Sequence, residues 1–166
     1  MEIWDAYDQD GRRADRDLIR GEPIPQGLYH LVSEMLVRHV DGDYLLMQRD
    51  FQKEGYPGWM EATAGGSALK GETALEAAKR ELQEETGLTG RSFQEIGKTY
   101  TENTIFISYL VITDCDKASV KLQEGETIGY QWLKEEEFLR FLNSSEAIPS
   151  QRERLREFLN FDIVIG

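Results

Sequence analysis

Polar and apolar positions change period several times along the 166 residues, and each change marks an element. Residues 3–7 (IWDAY) read as a short strand, residues 8–11 as a turn ending in Gly11, and residues 12–21 as a highly charged return strand or irregular arm. A breaker cluster with Pro23, Pro25 and Gly27 follows. Residues 28–40 (LYHLVSEMLVRHV) alternate in part, which puts Leu31, Met35 and Val37 in a core and leaves His30, Ser33 and Glu34 as interruptions. Asp41-Gly42 is a hairpin signal, with residues 44–48 as the partner strand. Residues 50–58 form a charged loop, and residues 59–64 a short strand that delivers Gly65-Gly66. Residues 93–99 and, most clearly, 104–113 (TIFISYLVIT) read as strands by their β-branched and aromatic content. A polar loop over 121–129 leads to a short strand at 130–133 and two closing helices, 134–143 and 150–160, separated by Pro149. Leu155, Phe158 and Leu159 give the second of these its apolar side.

The helical period is sharpest over 73–86. Thr73 and Glu76 form a capping box at its start, each side chain able to meet the other's backbone N–H. Gly87 ends it as a left-handed cap, after which Leu88 folds back on Leu82. Leu75, Ala78 and Leu82 recur at i, i+3 and i+7 and mark the expected buried stripe. Glu81, Glu84 and Glu85 recur at i, i+3 and i+4 on an adjoining face, with the small Ala77 one turn earlier. Strands and helices are interleaved, so the expected class is α/β (α+β), with one domain over 28–166. Residues 1–27 are expected to be an N-terminal hairpin and arm, because they hold too little apolar material for a core of their own, and the arm is a candidate homodimer contact.

Composition narrows the partners. The chain is 40% hydrophobic and 30% charged, which is ordinary for a soluble protein. A net charge of -12 argues against a nucleic-acid polymer or an anionic membrane as partner, but not against a small phosphorylated molecule met through a bound metal. The first residues lack the basic and apolar regions of a signal peptide, and no apolar run is long enough to span a bilayer. Cys115 is alone, so no intrachain disulfide is expected and a reducing cytoplasm is the simplest home.

The three glutamates carry the chemistry. Like charges at i,i+4 cost a few tenths of a kcal/mol per pair, and these lie toward the negative end of the helix dipole. A divalent cation reverses the sign of both effects. Hard oxygen ligands suit Mg2+ or Mn2+, with coordination positions left for phosphate oxygens and water. A glutamate-rich helix is more often a solvated surface, so the surrounding spacing has to decide.

That spacing runs Gly66, five residues, Glu72, seven residues, then Arg80-Glu81-Leu82-Gln83-Glu84-Glu85-Thr86-Gly87-Leu88. It resembles, without departure, the signature box of the Nudix family, G-x5-E-x7-R-E-U-x-E-E-x-G-U with U a bulky apolar residue. Fixed residues at these spacings make a chance match on the order of one in ten million per start point. The resemblance implies the Nudix fold, a mixed curved sheet sandwiched between helices, with the box as a loop-helix-loop. It implies metal-dependent hydrolysis of a nucleoside diphosphate linked to another group X. By the same resemblance Glu81 and Glu85 are the first metal ligands, Glu84 the third, and the Gly65 carbonyl a further one. Glu72 and Arg80 are supporting residues, Arg80 by pairing with a carboxylate and holding the loop to the helix. Glu126, in the loop before the strand with Trp132, resembles the acidic residue that serves some members as general base; in others a box glutamate does so. Gly65-Gly66 let the backbone approach the metal.

Phe51, Tyr56 and Trp59 flank the loop ahead of the box, and a nucleobase could stack on any of them; core packing is the competing expectation for each. The family often shows P-G-x-W here, whereas this chain has Pro57-Gly58-Trp59-Met60, with the Trp one position early. The longer pattern EATAGGSALKGE and the LQEGET loop resemble the isopentenyl-diphosphate isomerase-like branch. Isomerases use a Cys before the box loop and a multi-His metal site. Gly65 stands at the Cys position here, Ser67 where a His is expected, and the chain has two His in all. Hydrolysis is therefore the reading, with isomerisation and a non-catalytic nucleotide sensor as the alternatives.

Overall fold

The strand that organises the molecule is β3 (His30–His39), because it touches almost every other layer. In the computed structural model, which describes residues 1–159, β3 runs parallel to β8 (Thr104–Thr113) over ten paired positions. β8 in turn pairs antiparallel with β7 (Ser92–Tyr100). The other edge of β3 is shared. Val32 to Met35 pair with β6 (Ala64–Ser67), while β4 (Tyr44–Arg49) joins β3 only at Arg38–Tyr44. β4 then carries β5 (Met60–Glu61) and β9 (Thr127–Leu133). The sheet is mixed and opens along β3, where β4 departs and β6 takes its place.

Alternation along the strands sends side chains to two cores. Met35, Val37, Leu45 and Met47 face α1 (Ala74–Thr86), meeting Ala77, Ala78 and Leu82. Leu36, Tyr44 and Leu46 face the other way, onto Phe138 and Leu142 of α2 (Glu135–Leu142) and Leu155 of α3 (Pro149–Leu159). This is the expected sheet between helices.

Helix α1 begins and ends where its signals place it. Thr73 Oγ1 accepts the Glu76 N–H at 3.1 Å, and Glu76 Oε1 accepts the Thr73 N–H at 3.0 Å. Gly87 is left-handed at φ 73° and its N–H reaches the Gln83 carbonyl. Its buried face differs from the expected stripe. Leu75 is 38% exposed, and the enclosed residues are Ala77, Ala78, Leu82 and Thr86. The two alanines let the helix lie close against β3, where the Ser33 hydroxyl donates to the Ala74 carbonyl at 2.7 Å, and the longer Leu75 is left at the rim.

Three other expectations need correction. Residues 59–64 are not one strand. Met60–Glu61 pair with β4 and Ala64–Ser67 with β3, so the chain changes partner at Ala62-Thr63, and Gly65 and Gly66 lie inside a strand rather than after one. The last strand starts at Thr127, not at residue 130, because it pairs with β4 from Arg49 onward. Pro149 is the first residue of α3, a position where its missing N–H costs nothing, rather than a separator. Phe158 is 37% exposed, and the expected helix end at Asn160 lies outside the described residues.

The arm is a hairpin of β1 (Ile3–Tyr7) and β2 (Arg13–Ile19). Its small cluster of Trp4, Ala6 and Leu18 is completed by Leu28 and Leu69 from the rest of the chain. The hairpin also grips the loop before α1. The Ile3 carbonyl accepts the Lys70 N–H at 2.9 Å, and Asp5 accepts the Gly71 N–H at 2.8 Å.

The β3–β6 pairing generates a test. A Cβ on Gly65 would come within 2.5 Å of the Ser33 carbonyl, which is backbone and cannot swing away. Gly65→Ala is expected to destabilise by about 1–3 kcal/mol in urea unfolding, the usual range for overpacking. Gly97→Ala, whose Cβ would meet only Ser108 Cβ at 3.9 Å, should stay within about 0.5 kcal/mol of wild type.

Candidate active site

The opening between β4 and β6 is an acidic cleft, and α1 forms one wall. Arg80 organises that wall. Its Nε and Nη2 clasp the Glu72 carboxylate at 2.7 and 3.0 Å, and Nη2 also donates to the Ser67 carbonyl at 3.0 Å. Nη1 donates to Glu81 at 2.9 Å and to Glu84 at 3.0 Å. One guanidinium thus ties the loop after β6 to two of the three box carboxylates. The Glu72 carboxyl is held below its ordinary range, first by Arg80 and then by the Leu69 N–H.

The three glutamates lie on one face but at different depths. Glu84 is the outermost, with its side chain 46% exposed, and Glu81 is 15% exposed. Glu85 reaches furthest in, where its Oε2 accepts the Gly65 N–H at 3.2 Å. Burial pushes the Glu85 carboxyl well above the ordinary range, and the negative fields of Glu61, Glu81 and Glu126 push it further. Burial also raises Glu81, against the pull of Arg80.

Across from α1, β5 contributes Glu61, a residue the sequence pattern does not single out. It pairs with Arg49, and burial raises its carboxyl. Glu126 lies on the same cleft and pairs with Lys53. The only signal for Glu61 in the sequence is a charge inside the short apolar run before Gly65-Gly66, and nothing marks Arg49 or Lys53 as its neighbours.

Among the described residues, no three acidic, His or Cys side chains already converge as a metal cage. The donor set nevertheless fits a hard divalent cation. It consists of carboxylate oxygens, with the strand backbone alongside at Gly65 and Gly66. A Cβ on Gly66 would collide with the Glu81 carboxylate, so glycine is needed for that close approach. Glu85 and the three acids around it, Glu61, Glu81 and Glu126, repel one another, and a cation offsets that repulsion. No multi-His centre is available, since His30 and His39 sit at opposite ends of β3. His30 stacks on Trp4 at 4.3 Å and bonds Thr104 at 2.8 Å.

Phe51, Tyr56 and Trp59 are not core residues; they are 70%, 41% and 37% exposed. Tyr56 and Trp59 meet edge to face at 5.0 Å, and Trp59 lines a groove of about 680 Å3 that runs toward α2.

The NUDIX domain family model matches residues 29–158. The chain belongs to the Nudix family, whose members are hydrolases that generally use divalent metals. It is 34% identical over 151 residues to an uncharacterized Nudix hydrolase of Listeria monocytogenes, covering 90% of this chain and 89% of that one. It is 34% identical over 126 residues to the Nudix hydrolase YfcD of Shigella flexneri, covering 75% and 68%. The crystal structure of DR0079 from Deinococcus radiodurans superposes with a TM-score of 0.72 at 20% identity over 96% of this chain and 98% of that one. A MutT protein from Methanosarcina mazei gives 0.58 at 23% identity, over 83% and 96%. At those identities the structural likeness speaks for the fold. No helix among the described residues is long and apolar enough to cross a membrane.

Glu85 makes stability depend on pH in a calculable direction. A carboxyl whose folded pKa is raised contributes stability that is full below its unfolded value, near 4.5, and is lost as pH rises through the folded value. Metal-free Glu85→Gln should therefore melt higher than wild type at pH 8, with about 2–4 °C for each kcal/mol gained, and the gap should close toward pH 4.5. Thermal melts in a chelating buffer across that range check it.

Proposed function

We propose that the protein is a metal-dependent diphosphohydrolase that cleaves a nucleoside diphosphate linked to X by water attack at phosphorus. The observation that carries this reading is the buried Glu85 carboxylate of an intact box, set among the mutually repelling acids Glu61, Glu81 and Glu126. Glu81, Glu85 and the Gly65 carbonyl would hold Mg2+ or Mn2+, with Glu84 as a further oxygen donor. When bound, the cation neutralises phosphate oxygens and lowers the pKa of a coordinated water.

The chain's own residues do the rest. Arg80 holds Glu72 and the loop in place, and its contacts with Glu81 and Glu84 keep those side chains on the cleft side of the helix. Glu126 is the assigned proton acceptor for the attacking water. It sits at the mouth of the cleft, its side chain 41% exposed and its orientation set by Lys53. Trp59, with Tyr56 at its edge and Phe51 beside the same turn, offers aromatic surface to a nucleobase outside the charged compartment.

Two variants test this. Glu85→Gln keeps the shape of the side chain and its acceptor for the Gly65 N–H. Turnover on whichever diphosphate a substrate panel identifies should fall by about two orders of magnitude or more, since each 1.36 kcal/mol of lost charge stabilisation is about tenfold. Glu76→Gln lies on the same helix, but its work is the cap, which an amide can still perform. Its turnover should stay near wild type. Equal activity in the two variants would show the glutamate face to be a solvated surface. Magnesium should also raise the melting temperature of wild type, by about 2.7 kcal/mol of stability at a hundredfold excess over its Kd. A melting temperature that does not move would contradict the metal assignment.

A further inference from the structure

Behind the box carboxylates the cleft ends in a compartment of about 180 Å3. Glu61, Glu85 and Glu126 line it, and so do Glu34, Phe106 and Arg154. Arg154 comes from α3, on the opposite side of the sheet from the box helix. Its side chain is only 12% exposed. Nε donates to Glu34 Oε1 at 2.8 Å, and the guanidinium carbon lies 3.9 Å from the centre of the Phe106 ring.

Glu34 is itself fixed. Its Oε1 also accepts the Ser108 hydroxyl at 2.7 Å, and the Thr63 hydroxyl lies 3.5 Å from Oε2. α3 is latched next to this network, where Gln151 accepts the Ala62 N–H at 2.8 Å, at the point where the chain changes from β5 to β6. The guanidinium therefore cannot drift. Yet only Nε has a hydrogen-bond partner among the described residues; the two η nitrogens have none. Those nitrogens are not sealed in the core, since among the described residues the one buried side-chain nitrogen or oxygen without a partner is Arg38 Nε; they open onto the compartment, where an incoming ligand can meet them. Phosphoryl oxygens are the natural acceptors for a planar guanidinium fork.

We propose that Arg154 binds a phosphoryl oxygen of the substrate, so that the last helix shares with the box in holding the diphosphate. This rests on the hydrolytic reading above. The compartment is small beside the Trp59 groove of about 680 Å3, so it takes the compact anionic end of the substrate and leaves the larger group outside. Glu34 and Phe106 are positioning residues for the guanidinium.

The test is calorimetric titration of methylenediphosphonate, which cannot be hydrolysed, with and without magnesium. Wild type is compared with Arg154→Lys, with the double variant Glu34→Gln/Arg154→Gln, and with Arg152→Gln. The double variant removes both buried charges together, so it avoids stranding one of them. Arg152 lies on the same helix and bonds the Ser144 carbonyl at 3.3 Å, away from the compartment. Arg154→Lys and the double variant should bind at least tenfold more weakly, with KM for the diphosphate substrate rising more than kcat falls, while Arg152→Gln matches wild type. Unchanged affinity and KM in folded Arg154 variants, with only the melting temperature lowered, would reduce Arg154 to a structural latch and overturn the inference while leaving the hydrolase reading intact. A wild-type protein that neither binds the probe nor hydrolyses any diphosphate would end both.

Discussion

Glu85 is an acid placed among acids. Burial and the fields of Glu61, Glu81 and Glu126 all act against its ionised form, and among the described residues the Gly65 N–H is the one hydrogen bond opposing them. Folding alone does not favour such an arrangement, since burial strips the carboxylates of hydration and like charges repel one another. The arrangement becomes favourable when a hard cation is shared among the oxygens. The rest of the cleft can be understood as what keeps those carboxylates on one cleft, within reach of a cation.

Three devices do that. Arg80 reaches from the helix to Glu72 and the Ser67 carbonyl, and restrains Glu81 and Glu84 through its remaining nitrogen. The paired glycines let β6 lie against both β3 and the Glu81 carboxylate, where any Cβ would intrude. The N-terminal hairpin braces the loop between β6 and α1, with Asp5 on the Gly71 N–H and Arg13 on the Glu72 carbonyl. Sheet topology supplies the space: β4 leaves β3 after one paired position, and the chain's change of partner at Ala62-Thr63 brings Glu61 to the far wall.

Local signals made α1 legible in the sequence to the residue. Thr73, Glu76 and Gly87 each act on a neighbour within four positions, so no tertiary knowledge was needed. Strand 104–113 was equally plain from its β-branched and aromatic run. Long-range effects were not legible. Leu75 fits a helical stripe by spacing, but the close approach of Ala77 and Ala78 to β3 turned that stripe. The break within residues 59–64 follows from which strand each half pairs with, and no residue there announces it. The box identified Glu81, Glu84 and Glu85. Glu61, Lys53 and Arg154 join the cleft from distant segments; Glu61 is marked by no more than a charge within a short apolar run, and nothing local places Lys53 or Arg154 there.

The most direct test of this account is calorimetric titration of Mg2+ or Mn2+ in buffers of differing ionisation enthalpy, which counts the protons released on binding. If the carboxylates around Glu85 form a cation site whose acids resist ionisation until it fills, binding should release protons, and more of them as the pH is lowered, because metal ligation requires the deprotonated form and burial raises the Glu85 carboxyl. The release should fall and the affinity weaken in Glu85→Gln. Binding with no proton release and the same affinity in that variant, or no binding at all, would contradict the claim that this cluster is built around a metal.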